Sequence, residues 1–169
     1  MELAPMDFLA SLVERIPPGR ALDAACGAGR HARLLAEHGW DVTAVDASGV
    51  GLGLVGDSRV RCVRADLERG GFVIEPGAWD LIVCTCYLQR DLIPAIREGV
   101  AEGGRVAMAI PVKGTMNPAF TVEPGELLEW FQGWEVEHWR EERLAEIVAV
   151  RSNGWNKGLP ARASARSKI

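Results

Sequence analysis

Gly27 and Gly29 stand between two acids, Asp23 four residues before the first glycine and Asp46 nineteen residues after it. Glycine has no Cβ, so the backbone at these positions can turn sharply and lie close against a ligand. An acid about twenty residues past such a turn is where a Rossmann-like site places its ribose partner. Asp23 falls inside the apolar run that precedes the turn, where a pyrophosphate would meet a negative charge beside its own. It suits a ligand with a cationic end. Ala32 holds the place of the third glycine of a dinucleotide fingerprint, which tolerates alanine.

These residues need a strand, a tight turn and a helix to hold them. Arg20 to Ala25 reads as a buried strand, and Arg30 to His38 as a helix with Ala32, Leu35 and Ala36 on its apolar face, stopped by Gly39. Asp41 to Val45 is a second strand ending at Asp46, and Val60 to Ala65 a third ending at Asp66. The crossover between them, Ser48 to Gly56, is short and rich in glycine, so its helix is expected to be shortened or irregular.

Trp79 to Cys86 is a near-continuous apolar run that fits a central strand, with Asp80 as a strand-start acid. A helix over Leu92 to Val100 follows, and Gly103-Gly104 is read as a turn into a fifth strand, Arg105 to Ile110, closed by Pro111. Met6 to Ile16 is a first helix expected to cover a sheet edge. Val112 to Thr121 is a loop over the open end of the sheet, and Pro124 begins a helix that runs to Phe131. Trp134 to Trp139 and Leu144 to Val150 form an antiparallel pair. The fold class is therefore α/β, Rossmann-like and doubly wound, with a mainly parallel seven-stranded sheet and a C-terminal antiparallel hairpin.

The chain of 169 residues, 48% hydrophobic, supports one domain, read as residues 1–152 with a basic, flexible tail over 153–169. A net charge of -4 gives no footprint for nucleic acid or an anionic membrane, and no apolar run reaches a membrane span or a signal peptide. A cytoplasmic location and a small-molecule partner are expected. Cys26, Cys62, Cys84 and Cys86 lack the spacing of a zinc site and are read as reduced thiols; Cys84 and Cys86 are expected to be small buried strand residues. No metal is expected.

The stretches Leu22-Asp23-Ala24-Ala25-Cys26-Gly27-Ala28-Gly29-Arg30-His31-Ala32, Val45-Asp46-Ala47-Ser48, Arg64-Ala65-Asp66-Leu67, Trp79-Asp80-Leu81-Ile82-Val83 and Gly103-Gly104-Arg105-Val106 resemble, in order and spacing, the successive motifs of class I S-adenosylmethionine-dependent methyltransferases. Within that superfamily the Cys26 to Ala32 turn and the Asn117 to Leu128 segment resemble the small bacterial group related to tellurite-resistance methyltransferases. The resemblance implies S-adenosyl-L-methionine as cofactor. It puts Asp23 near the ammonium group, the backbone of Cys26, Gly27 and Gly29 along the methionyl part, Asp46 and Ala47 at the ribose, Asp66 and Leu67 at the adenine, and Cys84 in the cofactor wall. If Asp46 serves binding alone, removing its charge should barely change stability without ligand.

The resemblance also places the methyl acceptor beside Cys84 to Arg90. That segment lacks the Asn/Asp-Pro-Pro-aromatic motif of amino-group methylators, so a small polar or anionic acceptor is expected, methylated by in-line displacement. His31, Tyr87 and Arg90 are the candidate catalytic residues: His31, read as a surface or capping residue, as a possible proton acceptor, and Tyr87 and Arg90 as acceptor-orienting groups. Two other readings remain open: a protein that binds S-adenosylmethionine and acts through a partner, motivated by the short crossover and the lack of an obvious base, and an NAD-dependent oxidoreductase, disfavoured by Asp23.

Overall fold

The computed structural model describes residues 4–152; the basic tail expected over 153–169 lies outside the described residues. Five parallel strands, β1 (Arg20–Ala24), β2 (Asp41–Asp46), β3 (Val60–Arg64), β4 (Trp79–Thr85) and β5 (Val100–Pro111), join an antiparallel pair, β6 (Glu135–Glu141) and β7 (Leu144–Val150). The order across the sheet is β3-β2-β1-β4-β5-β7-β6. The chain moves outward from β1 in one direction through β2 and β3, and in the other through β4 and β5. The reversal therefore lies between β1 and β4, and ligands of open α/β sheets bind in the crevice outside the carboxyl ends of the strands at such a point.

Alternation along the strands sorts the core into two layers. Ala21, Val42, Ala44, Leu81, Val83, Ala107 and Ala109 pack with α1 (Asp7–Arg15) and α2 (Arg30–Glu37). Leu22, Ile82, Cys84, Met108 and Ile110 pack on the other face with α4 (Ile93–Gly99) and α5 (Glu126–Glu129). The first helix covers a sheet face and reaches the edge strand β6, where Phe8 stacks on His138 with ring centroids 5.3 Å apart; Phe8, Leu9, Leu12 and Val13 give it an apolar stripe that must be buried.

The crossover after β2 is the five-residue α3 (Gly49–Gly53), as short as its glycines led us to expect. Three boundaries differ from expectation. Gly103-Gly104 lies inside β5, where Trp79 pairs with Val100 but Leu81 with Arg105, so a bulge takes up the extra residues. Pro124 precedes the helix start, because Gly125 (φ 82°) is the N-cap and only Glu126–Glu129 is helical. Cys86 is exposed and outside the strand with φ 56°, and Cys62 is also exposed; only Cys84 of the expected pair is buried. Asp80 does tie the strand starts together, accepting the Arg20 amide at 2.8 Å. No described helix is long and apolar enough to cross a membrane.

Candidate active site at the glycine turn

β1 gives way to the turn through Ala25, which takes a left-handed backbone (φ 57°) although it is not glycine. The Cys26 amide then donates to the Val45 carbonyl at 3.0 Å and the Gly29 amide to the Cys26 carbonyl at 2.9 Å. Gly27 (φ 56°) and Gly29 (φ 78°) follow, and Gly29 caps α2. The two glycines have different reasons. A Cβ on Gly29 would meet Val55 Cγ2 at 2.7 Å, whereas one on Gly27 would have nothing within 4 Å, so bare backbone there faces open space. A Cβ on Gly51 would come within 2.9 Å of the Gly27 carbonyl oxygen. Gly51 therefore lets this short helix lie directly against the turn.

Asp23 is 2% exposed, and its Oδ2 has no hydrogen-bond partner. Burial pushes its carboxyl up to about 7, partly offset by the Ala32 amide in the first turn of α2 and by the Arg30 charge. Asp46, at the end of β2, accepts the Gly27 amide on Oδ2 and the Ser48 amide on Oδ1, both at 2.8 Å. Each of its oxygens keeps a lone pair free. Ala47 is exposed, and its carbonyl accepts Arg64 Nε at 3.3 Å. Asp66 accepts the Glu68 amide at 3.0 Å and faces Arg69 Nε at 3.5 Å. Leu67 is buried, and its carbonyl accepts Gln89 Nε2 at 3.3 Å; Gln89 Oε1 in turn accepts the Tyr87 hydroxyl at 2.7 Å.

The charges of these groups act on one another's titration. Cys26 feels Asp23 and Asp46, Cys84 feels Asp23, and Tyr87 feels Cys84 and Asp66. Burial raises all three: Cys26 well above the ordinary thiol range, Cys84 and Tyr87 to about 12. None of them ionises near neutral pH. A shallow depression along α4, lined by Arg90, Ile93, Pro94, Arg97, Glu98 and Trp130, holds none of the glycine-turn acids. Among the described residues no cluster of His, Cys, Asp and Glu has the arrangement of a metal site.

Two candidate catalytic residues make contacts within the protein. His31 is buried at 2% exposure, not a surface residue, and both ring nitrogens are engaged: the Met6 amide donates to Nε2 and Thr85 Oγ1 lies beside Nδ1, each at 3.2 Å. Burial lowers its pKa to about 4, so it is neutral and has no lone pair free for an acceptor's proton. Arg90 forks onto Glu126 at 2.5 and 3.0 Å and reaches the Thr121 carbonyl at 3.3 Å, which makes it a clamp on the loop before α5. Sequence reasoning missed the left-handed Ala25 and Cys86 and the partnership of Thr85 with His31. The only available signal for the last was a lone hydroxyl closing an apolar strand.

The family model of tellurite resistance protein TehB matches residues 6–157. Among solved structures, TehB from Haemophilus influenzae superimposes with a TM-score of 0.79 at 20% identity, covering 89% of this chain and 64% of that one. The chain thus spans less than two thirds of that TehB's length. A TehB-like SAM-dependent methyltransferase from Corynebacterium glutamicum gives a TM-score of 0.67 at 22% identity, covering 85% of this chain and 87% of that one. The 1,6-didemethyltoxoflavin-N1-methyltransferase of Burkholderia thailandensis, solved with 1,6-didemethyltoxoflavin and S-adenosylhomocysteine bound, gives 0.63 at 19% identity, covering 87% of this chain and 78% of that one. No curated protein matches the chain. The fold is that of the S-adenosylmethionine-dependent methyltransferases, and by the match over nearly all of its described length the chain belongs to the tellurite resistance protein TehB family.

Proposed function

We propose that this chain is an S-adenosylmethionine-dependent methyltransferase that acts on a small polar or anionic acceptor by in-line transfer. The observation that carries this reading is the orphaned, buried Oδ2 of Asp23, beside a glycine turn whose Gly27 faces open space. A buried polar atom without a partner is costly, and a ligand ammonium is the group that would satisfy a carboxylate there. A pyrophosphate would make the same site worse, which disfavours NAD.

In this reading Asp23 takes the ammonium, the backbone of Cys26, Gly27 and Gly29 lies along the methionyl chain, and the free lone pairs of Asp46 accept the ribose hydroxyls next to Ala47. Asp66 accepts from the adenine amine, Leu67 packs on the ring, and Cys84 forms the floor at the end of β4. The sulfonium supplies an already activated methyl carbon. The chain's own task is positioning and exclusion of water, which orientation alone can make worth about 7–11 kcal/mol. With His31 engaged and Cys26, Cys84 and Tyr87 held protonated, none of these four serves as base at neutral pH. This favours an acceptor that arrives with an available lone pair.

Calorimetric titration with S-adenosylmethionine, S-adenosylhomocysteine and NAD tests the reading. Binding of the first two at micromolar concentrations and not of NAD is expected; the reverse would overturn it. Cofactor binding without turnover of any acceptor would point instead to a protein acting through a partner.

A further inference from the structure

The two partners of Gln89 dictate which way its side chain is turned. The Leu67 carbonyl, 3.3 Å away, can only accept, so the amide end that faces it is Nε2 with its protons. Oε1 is then turned to the Tyr87 hydroxyl, and two oxygens 2.7 Å apart need a proton between them, which an amide oxygen lacks. The phenol proton of Tyr87 is therefore committed to Gln89 and is not offered to an acceptor molecule. Burial, and after it the charge of Glu68, keeps that proton on by raising the Tyr87 pKa to about 12. The carbonyl held by Gln89 belongs to a turn after β3 whose own hydrogen bonds run within it. Asp66 takes the Glu68 amide on Oδ1 and the Arg69 and Gly71 amides on its carbonyl, and Leu67 takes the Gly70 amide. In the sheet β2 and β1 separate β3 from β4, so the Gln89 bond joins two loops that follow the carboxyl ends of strands not paired with each other.

We infer that Gln89 is a positioning residue for the adenine end of the cofactor, held by Tyr87 and holding the Leu67 carbonyl, so that Asp66 and Leu67 present one fixed arrangement to the base. This deepens the methyltransferase reading and rests on it. The Leu67 side chain is anchored by burial, and a carbonyl held as well fixes the peptide that follows it. Asp66, one residue earlier and 43% exposed, has no burial of its own to place its carboxylate. That carboxylate can accept from the amine of adenine, whereas the oxo group of hypoxanthine would set acceptor against acceptor. Discrimination between the two bases thus depends on where the turn is held. Gln89 itself touches no reacting atom.

The test is calorimetry on the full chain with S-adenosylhomocysteine and with S-inosylhomocysteine, which carries an oxo group in place of the adenine amine. The native chain should prefer the first by about tenfold or more. Gln89→Met, which keeps the length and loses both hydrogen-bonding ends, should weaken S-adenosylhomocysteine about three- to tenfold and leave S-inosylhomocysteine nearly unchanged, so the preference narrows. Tyr87→Phe removes only the proton that holds Oε1 and should narrow it in the same direction, by about two- to threefold. That variant keeps the inference testable if Gln89→Met does not fold. The inference is overturned by a native chain without preference, by an unchanged preference in either variant, or by equal losses for both ligands, which would make Gln89 a general brace of the fold. Failure of S-adenosylhomocysteine to bind the native chain would overturn the methyltransferase reading instead.

Discussion

The Gly27 amide donates to Asp46 Oδ2 at 2.8 Å while Oδ1 of the same carboxylate takes the Ser48 amide, so one side chain stitches the turn after β1 to the exit of β2. Asp46 therefore preorganises the turn as well as offering lone pairs. Asp46→Asn sets an amide NH2 against one of these two N–H donors, and bonds to a charged acceptor contribute about 1.5–3 kcal/mol. S-adenosylhomocysteine affinity should fall about ten- to a hundredfold in calorimetry. Contrary to the sequence-only expectation, the melting temperature without ligand should fall too. An unchanged apo melting temperature would show that the turn holds without this stitch.

Asp23 and His31 should impose opposite pH slopes on stability. The Asp23 pKa is raised from 3.8 to about 7, so its contribution is complete below 3.8 and is lost as pH rises through 7. The His31 pKa is lowered from 6.5 to about 4, so its contribution is complete above 6.5 and is lost as pH falls through 4. One proton per group corresponds to at most about 1.4 kcal/mol per pH unit, and the slopes oppose each other between pH 4 and 6.5. In urea melts over this range Asp23→Asn should uncover rising stability and His31→Gln falling stability. Parallel pH profiles for the two variants would contradict the assignment.

If a cofactor ammonium meets Asp23, the bound state favours the ionised carboxylate, and binding below pH 7 must release a proton. S-adenosylhomocysteine affinity should then rise as pH increases toward 7 and level off above it. Calorimetry in buffers of different ionisation enthalpy measures the proton directly. Asp23→Asn should abolish this release and bind weakly at every pH; release that persists in the variant would assign it to another group.

Gly29→Ala should be destabilising for two separable reasons: a left-handed backbone (φ 78°) and a Cβ at 2.7 Å from Val55 Cγ2. A loss of about 1–3 kcal/mol is expected. Combining it with Val55→Ala should recover the steric part and not the backbone part. Strict additivity in the double-mutant cycle would mean that Val55 does not limit the turn.

Arg90→Ala should cost little global stability, about 1 kcal/mol or less, because its side chain is half exposed. Its effect should appear as faster amide exchange around Thr121 and Glu126, which the guanidinium clamps. Faster exchange confined to the glycine turn would place its role elsewhere.

Glycine spacing, apolar runs and acids at strand ends already determined the strand–turn–helix at Gly27, the parallel sheet with its C-terminal hairpin and the shortened α3, because backbone conformation and burial periodicity are local properties written residue by residue. The same locality made Asp23, Asp46 and Asp66 legible, since each is defined by its distance from a turn or a strand end. What α1 covers, the bulge that absorbs Gly103-Gly104, the Arg90 clamp and the engaged ring of His31 were decided only by the tertiary structure. Each depends on partners far away in the chain: the sheet face under α1, β4 opposite the bulge, Met6 and Thr85 for His31, Glu126 for Arg90. A side chain's type announces what it can donate or accept, but only packing, by removing water and choosing the partner, determines which of those capacities remains free for a ligand.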